Sequence, residues 1–369
     1  MIKSYFKDLF KRFKEKSLFV KIILCLFICL DISILVFCLV RTKYNVTTPG
    51  AVDEASDTIT VKSNNTSGHI LTVAVTDFDK VPLVQYWLAK NDDRFLIEEN
   101  DESVITNKDY NTYSVILKKM AINSSIILAY EKAKEIDNTI YLDKTFEGVR
   151  IYYLKKDVLD LKLNDLIIAV ENENFDSLSN FNVLINKYLG EDRTGGLKNL
   201  GDSLEFTIIR DGVELKRSAE IKESNGRLVI GMNVVESYVL NGNTSSPTFT
   251  INYNERFDAS GSSGGAMMAL SVYNALTKDD ITKGLFIAGT GTIDRFGNIG
   301  GIGAIEQKTI EVFTKGLDLF FVDDIKDNDG ISDYDLAITT AEKFGYDKTK
   351  IIPVKTFDDI LDYLNGLDN

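Results

Sequence analysis

One long apolar run near the start of the chain limits how everything after it can fold. Residues 22–40 read IILCLFICLDISILVFCLV, and Asp31 is the single charged residue among them. A helix of this length crosses the hydrocarbon core of a bilayer. The run ends in Arg41-Thr42-Lys43 and lacks the small residues of a signal-peptidase site, so it predicts an uncleaved membrane anchor. The remainder is then expected to fold in water on one side of that membrane.

The charges around this run predict its orientation. The first 16 residues hold six Lys or Arg against two acidic residues, and positively charged flanks stay on the cytoplasmic side. We therefore expect a basic cytoplasmic segment at 1–17, a transmembrane anchor at 18–40 and an extracytoplasmic remainder. Asp31 is costly in lipid, and the sequence leaves open whether it faces a partner helix or is simply tolerated.

Charge and cysteine content narrow the function of the extracytoplasmic part. Residues 1–43 carry a net charge of +6, whereas the whole chain carries −13. The remainder is therefore strongly acidic, which argues against a nucleic-acid partner. The three cysteines (Cys25, Cys29 and Cys38) all lie in the apolar run. We therefore expect neither disulfides nor thiol chemistry in the exterior part.

Residues 44–139 are expected to form an extracytoplasmic α/β segment. Apolar alternation predicts strands at 58–61 and 69–75, and a polar break separates them. Helical spacing of apolar residues covers about 82–89 and 113–136. The sequence predicts no catalytic residue in this segment.

Residues 140–223 have a different pattern, with short strands and one helix. Leu161-Lys-Leu-Asn-Asp-Leu-Ile-Ile-Ala-Val-Glu-Asn172 forms a turn followed by a strand. Residues 179–189 have one apolar helical face, and a hairpin follows around Asp211-Gly212. This stretch resembles a PDZ domain, whose motif is Leu-Lys-x-Gly-Asp-x-Ile-x-x-Val-[Asn/Asp]-Gly. Asparagine stands at both motif glycines, Asn164 and Asn172.

The PDZ resemblance implies that an extended peptide adds as a strand beside the helix. It places the site that binds the peptide's terminal carboxylate on the backbone of Glu147, Gly148, Val149, Arg150 and Ile151. Glu147 replaces the apolar residue that is usual before this glycine. A domain that only positions its neighbour is the alternative interpretation.

Ser263 is the candidate nucleophile. It lies in Gly261-Ser-Ser-Gly-Gly265, just before an apolar helix predicted over 266–276. Backbone N–H groups and the positive dipole end at a helix start stabilise an oxyanion, so Gly261, Ser262 and Gly264 form the candidate oxyanion region. Taken alone, Gly-x-Ser-x-Gly also fits a simple helix cap.

The only histidine, His69, stands at the start of a predicted strand, where it is expected to pack or to face solvent. An α/β-hydrolase triad needs a histidine after the serine, and none follows. A trypsin-like triad fails for the same lack of a usable histidine. A hydrolase built on this chain therefore needs another base.

Lys308 is the candidate base. A helix is predicted from Ile302 to Lys315 with Gly316 as its stop, and Lys308 falls inside its apolar stripe. Burial disfavours the ammonium form and leaves a neutral amine that can accept the proton of a serine. A lysine that reaches water from the edge of the stripe is the alternative.

Together these two segments resemble the proteolytic domain of the Lon family. That family has its nucleophile in Gly-Pro-Ser-Ala-Gly and its lysine at the end of a Thr-Gly-x-Ile…Ile-Gly-Gly-[Leu/Ile]-x-x-Lys run. Here Thr290-Gly-Thr-Ile is followed by Ile302-Gly-Ala-Ile-Glu-Gln-Lys308, with Ala304 in place of one glycine. The resemblance implies a Ser263–Lys308 dyad with Thr290 as a supporting hydroxyl. Ser262 is a rival nucleophile.

The sequence carries no common cofactor-binding or metal-binding motif. A P-loop is absent, and the glycines at 289–303 do not fit a dinucleotide-binding loop. The acidic run at 323–335 lacks the spacing of a calcium loop and is expected to be a solvated loop. We therefore expect neither a cofactor nor a metal.

The order of anchor, PDZ-like domain and Lon-type domain resembles the membrane-anchored Lon-like proteases of Gram-positive bacteria. We expect an α+β multidomain fold with an N-terminal transmembrane helix, a β-rich PDZ-like domain at 140–223 and a Lon-type α/β proteolytic domain at 224–369. The expected function is ATP-independent serine endopeptidase activity on peptides or proteins at the outer face of the membrane. A catalytically inert PDZ peptide sensor is the alternative, and the sequence leaves a homo-oligomer open.

Overall fold

The computed structural model describes residues 13–62, 68–100, 107–252 and 261–367. In chain order, the helices are α1 (Leu18–Leu39), α2 (Leu83–Lys90), α3 (Asn107–Ile136), α4 (Leu178–Leu189), α5 (Gly265–Leu276), α6 (Ile305–Lys315), α7 (Asp333–Phe344) and α8 (Phe357–Gly366). The strands of the first half are β1 (Tyr44–Glu54), β2 (Ile59–Val61), β3 (His69–Phe78), β4 (Leu96–Glu99), β5 (Lys144–Leu154), β6 (Leu166–Val170) and β7 (Glu173–Asn174). The strands of the second half are β8 (Ser203–Arg210), β9 (Val213–Glu220), β10 (Lys222–Ser224), β11 (Arg227–Val229), β12 (Met232–Leu240), β13 (Phe249–Ile251), β14 (Phe286–Gly289), β15 (Thr292–Ile293), β16 (Ile299–Gly300), β17 (Leu319–Asp323) and β18 (Ile351–Val354).

Helix α1 agrees with the predicted apolar segment. It begins after Ser17, whose hydroxyl accepts a hydrogen bond from the Val20 amide at 3.4 Å. Within the described residues it is the single helix long and apolar enough to cross a membrane. By length and composition, such a helix near the N-terminus is a membrane span or a signal sequence. The predicted basic segment at 1–17 lies mostly outside the described residues.

The chain forms two compact units. The first consists of Met1–Pro49 and Val75–Asp101, and the second of Gly50–Ala74 and Glu102–Asn369. The sequence placed 44–139 in one segment, whereas the structure divides that segment between the units. The division arises because strands and helices pack on partners that are remote in sequence.

The first unit contains α1 and a small α/β arrangement. The first residues of β1 pair antiparallel with β4, with Tyr44 opposite Glu99. Helix α2 lies within one residue of its predicted bounds and packs on this pair. The buried residues of this small core are Val46, Val81 and Ala89.

The second unit contains a PDZ-like sheet with the antiparallel order β12-β5-β6-β8-β9. Helix α4 buries its apolar face against this sheet. Asn164 and Asn172 have φ angles of 73° and 66°, a left-handed conformation that glycine and asparagine tolerate best. Both asparagines therefore adopt the left-handed conformation that glycine would adopt at the same motif positions.

The sequence pattern predicted that the PDZ-like domain ends at residue 223, but in the structure the domain continues beyond this residue. Strand β12 continues the sheet to Leu240 by pairing with β5, where Val234 lies opposite Ile151. The local strand pattern could not show this pairing, because the two strands lie far apart in sequence.

The rest of the second unit is a three-layer α/β arrangement. Strands β3, β14, β17 and β18 lie side by side and parallel. Successive residues of a strand face opposite sides, so Phe321 enters one core and Phe320 the other. Helices α3, α5 and α8 cover the first face, and α6 and α7 cover the second. The predicted helix stop at Gly316 is confirmed.

Candidate active site

Ser263 lies in the turn that leads into α5, and its backbone carbonyl accepts two hydrogen bonds. The Gly291 amide donates at 2.8 Å, and the Thr290 hydroxyl donates at 3.4 Å. These bonds join the start of α5 to the end of β14. Ser263 itself is partly exposed, as a nucleophile that meets a substrate must be.

Glycines allow this turn to pack closely against its neighbours. A Cβ on Gly265 would lie 2.8 Å from the side chain of Ile293, and one on Gly264 would lie 3.0 Å from that of Thr72. Side chains at these two positions would push the turn away from β15 and β3. The glycines flanking Ser263 therefore have a packing role whether or not the serine reacts.

The predicted oxyanion region is only partly open. The Gly261 amide donates to the carbonyl oxygen of Ser114 at 3.3 Å, so it is already engaged. No side chain in the described part of the chain caps the start of α5, so the backbone at Ser262 and Gly264 is still the candidate donor region. The preceding residues of the nucleophile segment, 257–260, lie outside the described residues.

Lys308 is buried, with 3% of its surface exposed. Its Nζ atom lies 3.1 Å from the Oγ1 atom of Thr290, which is itself 1% exposed. The structure thus brings Lys308 and Thr290 to the turn that carries Ser263. The alternative, a lysine that reaches water from the helix edge, does not hold. Removal from water disfavours the charged ammonium form of such a side chain.

Ala304 has a left-handed backbone, with a φ angle of 57°, immediately before α6. This is the position at which the Lon pattern has glycine. An alanine there is strained by about 1 kcal/mol or more relative to glycine. Ala304 nevertheless adopts this conformation, and α6, which carries Lys308, begins directly after it.

The carboxyl groups of Asp323 and Asp333 lie next to Gly301. A Cβ on this glycine would be 3.6 Å from an Oδ2 atom of both Asp323 and Asp333. Asp333 accepts a hydrogen bond from the Ile302 amide at 2.8 Å. Burial raises the pKa of Asp333, and the positive charge of Lys308 opposes that rise. Asp333 therefore interacts electrostatically with the candidate base.

Asp323 is more deeply buried than Asp333. It is 1% exposed, and its Oδ1 atom has no hydrogen-bond partner among the described residues. Burial raises the pKa of Asp323 to about 6. The prediction that 323–335 is a solvated loop is therefore wrong at both ends, although Asp327 and Asp329 between them are exposed.

Sequence reasoning missed α7 and the position of Asp333. The available signal was Ser332-Asp-Tyr-Asp335, in which Ser332 and Asp335 form a capping box. Across the described ranges, no group of three or more His, Cys, Asp or Glu side chains is placed to hold a metal ion.

His69 has the packing role that its position indicated. Its Nδ1 atom lies 2.9 Å from a carboxylate oxygen of Glu54, and its ring stacks on Phe286 at 4.0 Å. Neither contact is with the residues that surround Ser263.

The backbone predicted to bind a peptide has no open edge. Val149 and Arg150 pair with β12 on one side and with β6 on the other. Gly148, with a φ angle of 145°, allows β5 to approach β6 closely, since a Cβ there would lie 2.3 Å from the Ile167 carbonyl oxygen. The assignment of peptide binding to Glu147–Ile151 is therefore corrected, because a peptide cannot add a strand where both edges are occupied.

A groove of about 560 Å³ lies instead between the start of β12 and α4. Within the described part of the chain, β12 pairs only with β5, so its other edge borders this groove. The α4 side chains that line it are Leu178, Phe181, Asn182 and Ile185. The sequence signal was Gly231-Met-Asn-Val234, a glycine that leads directly into an apolar strand.

Arg193 supplies positive charge to this groove. It belongs to the loop after α4 and has a φ angle of 61°, and its carbonyl accepts the Leu228 amide beside the turn into β12. Burial lowers the pKa of Arg193. The groove thus combines apolar walls with a half-buried cation.

Glu236 on β12 connects the groove to the segment between Thr290 and Lys308. One of its carboxylate oxygens accepts the Leu178 amide at the start of α4 at 3.2 Å. The same carboxylate pairs with Arg295. The Glu236 side chain therefore joins the start of α4, which lines the groove, to the segment between Thr290 and Lys308.

No protein-family model matches the chain, and no curated protein matches it. Among solved structures, the chain is similar to the PDZ domain of the SdrC-like protein from Listeria monocytogenes, at 22% identity, with 25% of this chain and 90% of that chain covered and a TM-score of 0.21. It is also similar to the PDZ domain of the SdrC-like protein from Listeria innocua, at 21% identity, with 24% and 93% covered and a TM-score of 0.20. These structural neighbours are PDZ domains and correspond to about a quarter of this chain.

Proposed function

We propose that this protein is an ATP-independent serine endopeptidase, anchored in a membrane by α1, with Ser263 as nucleophile and Lys308 as base. The observation that carries the proposal is the buried Lys308 amine at 3.1 Å from the Thr290 hydroxyl, which in turn reaches the Ser263 carbonyl. A buried amine and a serine at a helix start are the two groups that acyl transfer needs without histidine, and Thr290 links the two here.

The reaction begins with attack of the Ser263 hydroxyl oxygen on the scissile carbonyl carbon. The Lys308 amine takes the hydroxyl proton as the new C–O bond forms. Backbone N–H groups at the start of α5 stabilise the oxyanion, aided by the positive end of the helix dipole. Collapse of this intermediate breaks the C–N bond, and Lys308 returns the proton to the leaving amine. Water then hydrolyses the acyl-enzyme, with Lys308 again as base.

The groove between β12 and α4 gives the protease a way to hold its substrate. An extended peptide would add along the outer edge of β12, with apolar side chains against α4 and a carboxylate toward Arg193. Peptides or proteins on the extracytoplasmic side are the proposed substrates, given the positive-inside orientation of α1.

Covalent labelling tests the dyad directly. The purified full chain should react with a serine-directed fluorophosphonate probe, and peptide mapping should place the adduct on Ser263. Ser263→Ala and Lys308→Met should each abolish labelling and peptide cleavage, whereas Ser262→Ala should retain both. Labelling at full rate in Lys308→Met would rule out the dyad.

The second candidate function is a catalytically inert peptide sensor, which the groove itself favours, since peptide binding needs no reactive serine. In that case the folded chain would bind peptides through the groove and show no labelling at Ser263. Parallel measurement of peptide binding and labelling therefore separates the two functions.

A further inference from the structure

Helix α2 in the first unit has two opposite apolar faces. Its inner face carries Ala89, which is buried against Val46 and Val81, and Tyr86, whose ring stacks on Tyr44 at 4.7 Å. Its outer face carries four apolar side chains at helical spacing, namely Leu83, Val84, Trp87 and Leu88. A helix that packs on a core through one face normally presents polar residues on the other.

The outer face is exposed at its centre. Trp87 is 57% exposed and Leu88 is 54% exposed. Lys90 and Gln85, both exposed, stand at the two borders of this face. Its composition, with tryptophan and leucine at the centre and polar residues at the borders, is typical of a helix that lies in the interface of a bilayer.

Hydrogen bonds hold α2 at the end of α1. The Leu83 amide donates to the carbonyl oxygen of Val40 at 3.0 Å, and Val40 directly follows α1. The Thr42 amide donates to the Val81 carbonyl oxygen at 2.9 Å. Arg41 and Pro82 also form an isolated antiparallel β-bridge. The first turn of α2 is therefore fixed at the point where the apolar helix ends.

We propose that the outer face of α2 lies in the headgroup region of the membrane that α1 crosses, with Trp87 and Leu88 inserted among the lipids. A lipid surface is the occupant that the position favours, because the face begins where the apolar helix leaves the hydrocarbon core. Tryptophan suits this depth, since its ring is apolar and its N–H still reaches water or headgroup oxygens. The first unit would then be held against the bilayer at two places. This inference rests on the proposal that α1 is a retained membrane anchor.

The chain contains a single tryptophan, so its fluorescence reports on Trp87 alone. The full chain is reconstituted into vesicles of phosphatidylcholine and phosphatidylglycerol, and insertion is checked by flotation. Parallel samples contain lipids brominated near the headgroup end or near the tail end of the acyl chains. We expect blue-shifted emission, stronger quenching by the shallow bromines and little quenching by aqueous iodide.

The outcomes separate this inference from the anchor on which it rests. A chain that floats with the vesicles but is quenched by iodide and not by brominated lipids has an anchor and no interfacial helix, which overturns the inference. A chain that does not float overturns the anchor and the inference together. Blue-shifted Trp87 emission that does not respond to lipid but shifts to the red on dilution would show that a second copy of the chain covers the outer face of α2. That result would also overturn the inference.

Two matched variants sharpen the test. Leu88→Glu places a charge at the centre of the outer face and should reduce lipid quenching of Trp87 at least several-fold, because a carboxylate resists insertion. Leu159→Glu makes the same change at a leucine of the PDZ-like domain that is 88% exposed, and it should leave the quenching unchanged. Equal quenching in Leu88→Glu and the parent chain would contradict the proposed insertion.

Discussion

The side-chain nitrogen of Lys308 lies 3.1 Å from the hydroxyl oxygen of Thr290. Both side chains are buried, and the same hydroxyl lies 3.4 Å from the carbonyl oxygen of Ser263. A threonine thus stands between the candidate base and the turn that presents the candidate nucleophile. The direction of the Lys308 amine therefore depends on Thr290 as well as on α6.

Thr290→Val removes this hydroxyl while it preserves side-chain shape. A hydrogen bond of this kind contributes about 1–3 kcal/mol, so we expect the rate of Ser263 labelling to fall about 5- to 150-fold. Thr290→Ser should restore most of the rate. A rate in Thr290→Val equal to that of the parent chain, at unchanged thermal stability, would show that the hydroxyl does not position the amine.

Asp333→Asn tests the electrostatic contact with Lys308. The positive charge of Lys308 lowers the pKa of Asp333 against the larger, opposite effect of burial. By reciprocity, the carboxylate favours the charged ammonium, which cannot act as a base. Asparagine removes that charge, so the acidic limb of the pH–rate profile should move to lower pH by roughly 0.5–1 unit. Asp362→Asn, at an exposed position of α8, should leave the profile in place.

The same substitution changes how stability depends on pH. The pKa of Asp333 in the folded chain is raised above its ordinary value, so the folded state binds this proton more tightly than the unfolded state does. The resulting stabilisation is present at low pH and is lost as the pH rises through the folded-state pKa. Urea unfolding between pH 4 and pH 8 should therefore show a smaller decline in Asp333→Asn than in the parent chain.

Arg193→Ala tests which chemistry the groove prefers. A hydrogen bond to a charged group contributes about 1.5–3 kcal/mol, so affinity for a peptide with a carboxylate at the groove should fall roughly 10- to 100-fold. Fluorescence anisotropy would compare a free C-terminal peptide, its amide, and a version with an internal Asp changed to Asn. Arg227→Ala is the matched control, because this arginine is exposed on β11. Equal losses for charged and neutral peptides would assign Arg193 a purely structural role.

Gly148→Ala tests the corrected role of β5. The added Cβ would lie 2.3 Å from the Ile167 carbonyl oxygen, at a φ angle of 145° that alanine rarely adopts. We expect a loss of about 2–4 kcal/mol in the free energy of unfolding. Gly212→Ala, at a φ of 77° with open space around its Cβ, should cost only about 1 kcal/mol. Weakened peptide binding without destabilisation would instead support the original assignment of the peptide site to this strand.

Local sequence determined the features that depend on neighbouring residues. The apolar run at 22–40 predicts the membrane-length helix α1, and the end of α6 follows from Gly316, whose left-handed backbone terminates the helix. The 3.6-residue period of α6 placed Lys308 inside an apolar stripe, but its burial, at 3% exposure, was decided by the packing of the folded chain. The resemblance to the Lon pattern grouped Ser263, Thr290 and Lys308 only as an expectation, and the contacts of Thr290 with the other two residues come from the fold.

Tertiary structure decided the features that depend on remote pairing. The edge of β5 is closed because β12, far along the chain, pairs with it, and this pairing leaves the outer edge of β12 beside the groove that α4 lines. Asp323 and Asp333 are brought to Gly301 from the end of a strand and the start of a helix. Strand order and burial depend on which distant surfaces meet, and no short pattern in the sequence records that.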